Sequence, residues 1–146
     1  MKPFLLDTNV LIALLWPAHK HHSVAQQWFG SIQRAGWATC PFTQCGFVRI
    51  ITDPAFSRDA VTPSEACQRL AAVTGHPRHR FFPATISYPD ATSLFLMHKH
   101  QQITDAYLLG LAIHHKAKLA TFDTGIAKLL PDGDRQHASL HLIEGA

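Results

Sequence analysis

Pro3-Phe4-Leu5-Leu6-Asp7-Thr8-Asn9 decides how this chain reads. A short apolar run, closed by a polar cluster and followed at once by helical periodicity, is the pattern of a buried parallel strand, and this one ends on Asp7. Open α/β sheets place ligand sites at the carboxyl ends of such strands. Two later stretches bring carboxylates to comparable positions. Thr104-Asp105-Ala106 stands at a predicted helix start, and Ala120-Thr121-Phe122-Asp123 ends a second apolar run.

Working outward from Asp7, strands alternate with helices. Val10 to Leu15 is predicted helical and halts at Trp16-Pro17, since proline lacks the amide hydrogen and disfavours helix in the residue before it. A helix is predicted from about His21 to Arg34, with Gly36 just past its end. Trp37 to Cys40 reads as a strand and Phe42 to Thr52 as a helix ended before Pro54. Asp53 to Val61 is a loop, and Thr62-Pro63-Ser64-Glu65 starts a helix that ends near Gly75. His79 to Phe82 is a strand. Pro89-Asp90 opens a helix to about His100, and Thr104 is the expected N-cap of the next, through about His115. Lys118 to Phe122 is a strand, Thr124 to Leu130 a short helix, and Leu140 to Ile143 an edge strand. This alternation predicts an α/β fold, a three-layer α/β/α sandwich around a parallel sheet.

The chain has 146 residues, 47% of them hydrophobic and 16% charged, which suits a single domain with a substantial core. A net charge of +3 and a pI of about 8.9 permit binding to a phosphate polymer but do not amount to a polybasic tail. No stretch approaches the roughly 20 apolar residues of a membrane span and no signal-peptide pattern precedes the first strand, so a cytoplasmic location is expected. Cys40, Cys45 and Cys67 follow no pairing or zinc spacing and are expected to be small buried thiols.

If the strands ending at Asp7 and Asp123 are neighbours, their carboxylates meet at one edge of the sheet, and Asp105 can face them. Three carboxylates held together repel strongly unless a cation sits among them, and all-oxygen donors select a hard ion such as Mg²⁺ or Mn²⁺. Such an ion makes water more acidic and stabilises charge on a phosphoryl oxygen. Each residue also has a simpler local role: Asp105 can complement its helix dipole, and Asp7 and Asp123 can cap the helices that follow them.

Leu6-Asp7-Thr8-Asn9, Thr43-Gln44-Cys45-Gly46-Phe47-Val48-Arg49, Ile103-Thr104-Asp105-Ala106-Tyr107-Leu108 and Leu119-Ala120-Thr121-Phe122-Asp123 resemble, in this order, the four motifs of a PIN domain. More narrowly they resemble the VapC-type toxin ribonucleases of bacterial type II toxin-antitoxin pairs. The resemblance implies dependence on Mg²⁺ or Mn²⁺, endonucleolytic cleavage of RNA, homodimerisation, and inhibition by a small VapB-like antitoxin that covers the active site. It implies a transfer RNA or a ribosomal RNA loop as substrate. It assigns Asp7, Asp105 and Asp123 to the acidic metal positions and Thr8, Asn9 and Thr121 to polar neighbours of the carboxylates.

One position departs from the pattern. Many relatives carry a glutamate early in the third helix, where this chain has Gln44, an amide that can accept hydrogen bonds but brings no charge. Three formal charges in place of four predict weaker metal binding and leave open a binding module that keeps the fold without catalysis. Arg49 is a candidate for contacting substrate phosphate. Lys20, Arg34, Arg78, Arg80, Lys99, Lys116 and Lys118 could track a phosphate backbone, and Trp16, Trp28 and Trp37 could stack on bases, although the spacing of Trp28 places it in the core. Histidine groups at His19, His21 and His22, at His98 and His100, and at His114 and His115 do not repeat a known metal-binding pattern. A haloacid-dehalogenase-like phosphatase would need a second aspartate where Asn9 stands. A receiver-type module would need an early acidic pair and a late lysine, which are lacking.

Overall fold

The computed structural model describes residues 1–97 and 99–144. Within them one wholly parallel sheet is formed by β1 (Phe4–Leu6), β2 (Trp37–Thr39), β3 (His79–Phe81), β4 (Lys118–Thr121) and β5 (Leu140–Leu142), in the order β3-β2-β1-β4-β5. Parallel neighbours require crossovers, supplied here by α1 (Thr8–Leu15), α2 (His22–Ser31), α3 (Pro41–Ile51), α4 (Pro63–Thr74), α5 (Tyr88–Thr92) and α6 (Ile103–His114). β1 is central, and Leu6 pairs with Ala120 of β4. The two strands that lead to Asp7 and Asp123 are therefore neighbours.

Side chains alternate across the sheet and sort the core into two layers. Leu5, Ala38 and Leu119 point to one side and pack under α6 with Leu108, Leu109 and Leu111. Leu6, Trp37 and Ala120 point to the other, where α1 and α3 contribute Leu11, Phe47 and Ile51. Helices thus cover both faces, which is the expected α/β/α sandwich. Phe47 is fully buried, so truncating it to alanine would cost about 3–5 kcal/mol. Gly46, beside it in α3, lets the helix approach α1: a Cβ there would stand 2.7 Å from Thr8 Oγ1. Gly36, with φ of 82°, makes the left-handed turn into β2.

Four local expectations need correction. The helix expected from Pro89 to His100 stops at Thr92, whose hydroxyl donates back to the Tyr88 carbonyl oxygen at 2.8 Å. Beyond it the Leu96 amide is spent on the Leu129 carbonyl oxygen, 2.8 Å away, so the chain crosses the core edge instead of continuing the helix. Thr104 is not an N-cap: a 3₁₀ turn at His100–Gln102 runs straight into α6, which begins at Ile103 and keeps Asp105 in its first turn. Thr124–Leu129 is 3₁₀ and not α-helical. Of the three cysteines only Cys40 is buried, because Cys45 and Cys67 lie on the solvent faces of α3 and α4.

Candidate active site

The site is built where β1 and β4 end. Asp7 extends the ladder, its amide donating to the Ala120 carbonyl oxygen at 3.0 Å, and its extended dihedrals then make it the N-cap of α1. Its Oδ1 accepts the Thr8 amide at 2.7 Å and its Oδ2 accepts the Thr121 hydroxyl at 2.7 Å. With 6% exposure, this carboxylate is buried. Thr121 follows Leu119 in the strand alternation and so faces the same side, toward α6. Its hydroxyl oxygen also accepts the Asn9 side-chain amide at 3.3 Å and the Asp123 backbone amide at 3.0 Å. Asn9 completes the link by accepting the Phe122 amide at 3.3 Å.

Asp123 is exposed, and its Oδ1 accepts the Gly125 amide at 2.8 Å, opening the 3₁₀ helix. Capping is therefore real at Asp7 and Asp123, but each carboxylate oxygen has two lone pairs, and capping uses only some of them. Asp105, half-buried at the start of α6, takes no hydrogen bond from the described residues. Burial, then the charges of Asp7 and Asp123, push its carboxyl up to about 6. Burial also raises Asp7, opposed by its bonds from Thr121 and Thr8, with the charge of Asp123 adding to the rise. The three carboxylates form one electrostatic group.

A model of the PIN domain matches residues 4–129. The chain belongs to the PIN-domain family. It is 41% identical over 137 residues to Ribonuclease VapC44 of Mycobacterium tuberculosis, covering 91% of this chain and 95% of that protein. It is 40% identical over 125 residues to Ribonuclease VapC39 of the same organism, covering 84% and 90%. These relatives make it a PIN domain of the VapC type. Among solved structures, VapBC2 from Rickettsia felis, bound to a DNA fragment from its promoter, matches with a TM-score of 0.63 at 12% identity over 95% of this chain and 96% of that one. The sarcin-ricin-loop-cleaving toxin VapC20 of Mycobacterium tuberculosis matches with a TM-score of 0.63 at 13% identity, covering 85% and 92%. Both share the fold.

In this PIN domain Gln44 lies in the first turns of α3 at the same sheet edge, and its Nε2 donates to Thr39 Oγ1 at 2.9 Å. Thr39 Oγ1 also meets His79 Nε2 at 2.7 Å. The amide is thus held by Thr39 at the end of β2, itself bonded to His79 at the start of β3, an arrangement the sequence does not signal. Thr8 is fixed beneath Gly46 and contributes its backbone amide to Asp7. Arg49 is not brought to this group: it is exposed in the last turn of α3, five residues or about 7.5 Å of helix rise beyond Gln44, and has no ion pair among the described residues.

Other candidates separate by edge. Arg34, Arg78, Lys116 and Lys118 precede or begin strands, so they sit at the amino-terminal edge of the parallel sheet, opposite the carboxylates. Lys20 belongs to the turn whose next residue, His21, stacks on Phe122 at 4.9 Å between ring centres. Trp16 and Trp37 are buried, and Trp28 is partly buried and donates to His141 Nε2 at 2.9 Å, which removes all three as open stacking platforms. His98 lies outside the described residues. Among the described residues no helix is long and apolar enough to cross a membrane.

The donor set suits a hard divalent ion in kind: three carboxylates, one buried, one half-buried and one exposed, whose charges raise Asp105 in its absence. It is not a ready-made cage, since no three His, Cys, Asp or Glu side chains among the described residues stand so as to hold an ion together. Mg²⁺ keeps several waters and binds through one or two carboxylates, so the acids would hold it partly through bridging water.

Proposed function

We propose that this chain is a Mg²⁺- or Mn²⁺-dependent endoribonuclease, the toxin of a toxin-antitoxin pair, with residues 1–146 acting as one PIN-like ribonuclease domain. The observation that carries the reading is the placing of Asp7 and Asp123 at the ends of two neighbouring central strands, with Asp105 at the start of α6 near enough for both charges to raise its carboxyl. Likeness to proteins named as VapC ribonucleases supports the substrate class.

Asp7, Asp105 and Asp123 would hold the ion, directly or through water. Bound there, it would supply a more acidic water as nucleophile and offset charge on the scissile phosphoryl oxygen. Thr121 orients Asp7 and opposes the rise that burial imposes on its carboxyl, and Asn9 ties the end of β4 to the start of α1. Hydrolysis by water leaves a 3′-hydroxyl and a 5′-phosphate. Transfer RNA or ribosomal RNA is the substrate, a VapB-like antitoxin is the inhibitor in trans, and the chain works as a homodimer in the cytoplasm. Arg49 serves RNA outside the carboxylate group.

Cleavage of total RNA by the purified chain, with Mg²⁺, Mn²⁺ or chelator and with Asp7→Asn and Asp105→Asn alongside, tests the reading. Discrete fragments that need metal, carry 5′-phosphates and vanish in both variants are expected. Products ending in 2′,3′-cyclic phosphate would overturn the mechanism. Absence of cleavage with intact RNA binding would favour a catalytically weakened RNA- or protein-binding module, the reading that the uncharged Gln44 favours.

A further inference from the structure

Beside Asp105 the surface opens into a recess of about 350 Å³ lined by Phe42, Ile86, Tyr88, Ile103, Thr104 and Tyr107. Its walls come from the helix starts that also carry site residues: Ile103 and Thr104 directly precede Asp105 in α6, and Phe42 stands two residues before Gln44 in α3. Phe42 and Ile103 are 49% and 45% exposed, a large apolar surface to leave open. The rings are preset. Phe42 meets Tyr107 edge to face at 5.2 Å, and Tyr88 stacks on Tyr107 at 6.1 Å. The two phenol hydroxyls are already spent on the Ile103 and Ile86 carbonyl oxygens, each at 2.9 Å, which fixes the rings and leaves Phe42 as the exposed aromatic surface of a mainly apolar recess.

We infer that this recess takes a nucleobase of the RNA next to the scissile phosphate. No charged side chain lines it, so it does not suit a phosphate, and the carboxylates beside it would repel one. A base offers a flat π-face and little charge, and aromatic platforms recognise bases in this way. The inference rests on the ribonuclease reading and adds where specificity is set: in Phe42 and Tyr88.

The test uses Phe42→Leu, which keeps bulk and loses the ring, and Phe42→Trp, which restores a π-face, after thermal melts and Mn²⁺ binding have shown fold and metal site unchanged. On a synthetic RNA spanning the cut mapped in total RNA, Phe42→Leu should raise KM about 10-fold, and Phe42→Trp should restore it. An abasic ribose at one position next to the cut should impose the same penalty on the unaltered chain and add none to Phe42→Leu. Unchanged KM and cut positions in Phe42→Leu, or fully additive penalties, overturn the inference while the ribonuclease reading stands. Weakened binding of a protein inhibitor with unchanged RNA parameters also overturns it, in favour of a peptide occupant. If the unaltered chain cuts no RNA, the ribonuclease reading fails and the recess is judged by fluorescence anisotropy of a mixed-sequence single-stranded RNA. Binding about 10-fold weaker in Phe42→Leu supports it, and equal binding overturns it.

Discussion

The Thr121 hydroxyl donates to Asp7 Oδ2 at 2.7 Å while accepting from Asn9 and from the Asp123 amide. One donor and two acceptor positions are all that a hydroxyl has, and all are used. Thr121→Val would leave a buried carboxylate oxygen and the Asp123 amide without this partner. Urea unfolding should show a loss of about 1–3 kcal/mol, with Thr121→Ser much closer to the unaltered protein. Equal losses in both variants would mean that packing of the methyl group, not the hydroxyl, is what matters.

The raised Asp105 carboxyl makes stability depend on pH in a defined direction. Its ordinary value is 3.8 and it is pushed up to about 6, so between these values the folded state binds more protons than the unfolded state. Stability therefore falls as pH rises through this window, and the penalty is complete above about 6. In chelator, Asp105→Asn should melt higher than the unaltered chain at pH 7.5 and lose that advantage by pH 4. A difference independent of pH would contradict the raised Asp105 carboxyl.

Metal should reverse that relation. Protons and cations compete for the same carboxylates, so Mn²⁺ should raise the melting temperature at pH 7.5 and do so progressively less below the Asp105 value of about 6. Asp7→Asn should abolish the gain. Equal stabilisation of Asp7→Asn would place the bound ion elsewhere.

Gln44→Glu restores the charge that this chain lacks. A glutamate cannot donate to Thr39 as the Gln44 amide does at 2.9 Å, and it adds a fourth negative group at the same edge. Expected are tighter Mn²⁺ binding in titration calorimetry and a lower melting temperature in chelator. Unchanged metal affinity would assign Gln44 to holding Thr39 and His79 in place and to nothing else.

Gly46 and Thr8 form a tight contact between α3 and α1. Gly46→Ala would set a Cβ 2.7 Å from Thr8 Oγ1, displacing the residue whose amide binds Asp7. A destabilisation of about 1–3 kcal/mol is expected, and Thr8→Ala in the same chain should recover part of it. Strict additivity in this double-variant cycle would show that the two residues do not meet.

Much of this architecture is legible in the residues. Each of β1 to β5 falls on a predicted strand, and for the buried β1, β2 and β4 the reason is that short, mainly apolar runs bounded by glycine, proline or polar residues can bury both faces only in a covered parallel sheet. The boundaries that misled were those settled by distant partners. Nothing near Thr92 announces that the Leu96 amide will bond Leu129, and nothing in Ile103-Thr104-Asp105 reveals that a 3₁₀ turn feeds the helix from behind. Among the site residues, motif order singled out Asp7, Asp105, Asp123, Thr8, Asn9 and Thr121. It gave Gln44 the place of the usual helix-start glutamate and Arg49 a phosphate contact, but not the bond that ties Gln44 to Thr39 nor the solvent-exposed last turn in which α3 leaves Arg49.

The sequence by itself determined the alternation of strand and helix, the parallel sheet and which residue types stand at its carboxyl edge, because periodicity, proline and glycine act over a few residues. Tertiary structure decided that β1 and β4 are neighbours, that Asp105 approaches Asp7 and Asp123 closely enough to raise its carboxyl, and that Phe42, Tyr88 and Tyr107 from three helices line one recess. Those relations depend on strand order and helix crossing. The spacing of residues along the chain does not encode them, since contacts between distant residues form only when the two layers of core close around the sheet.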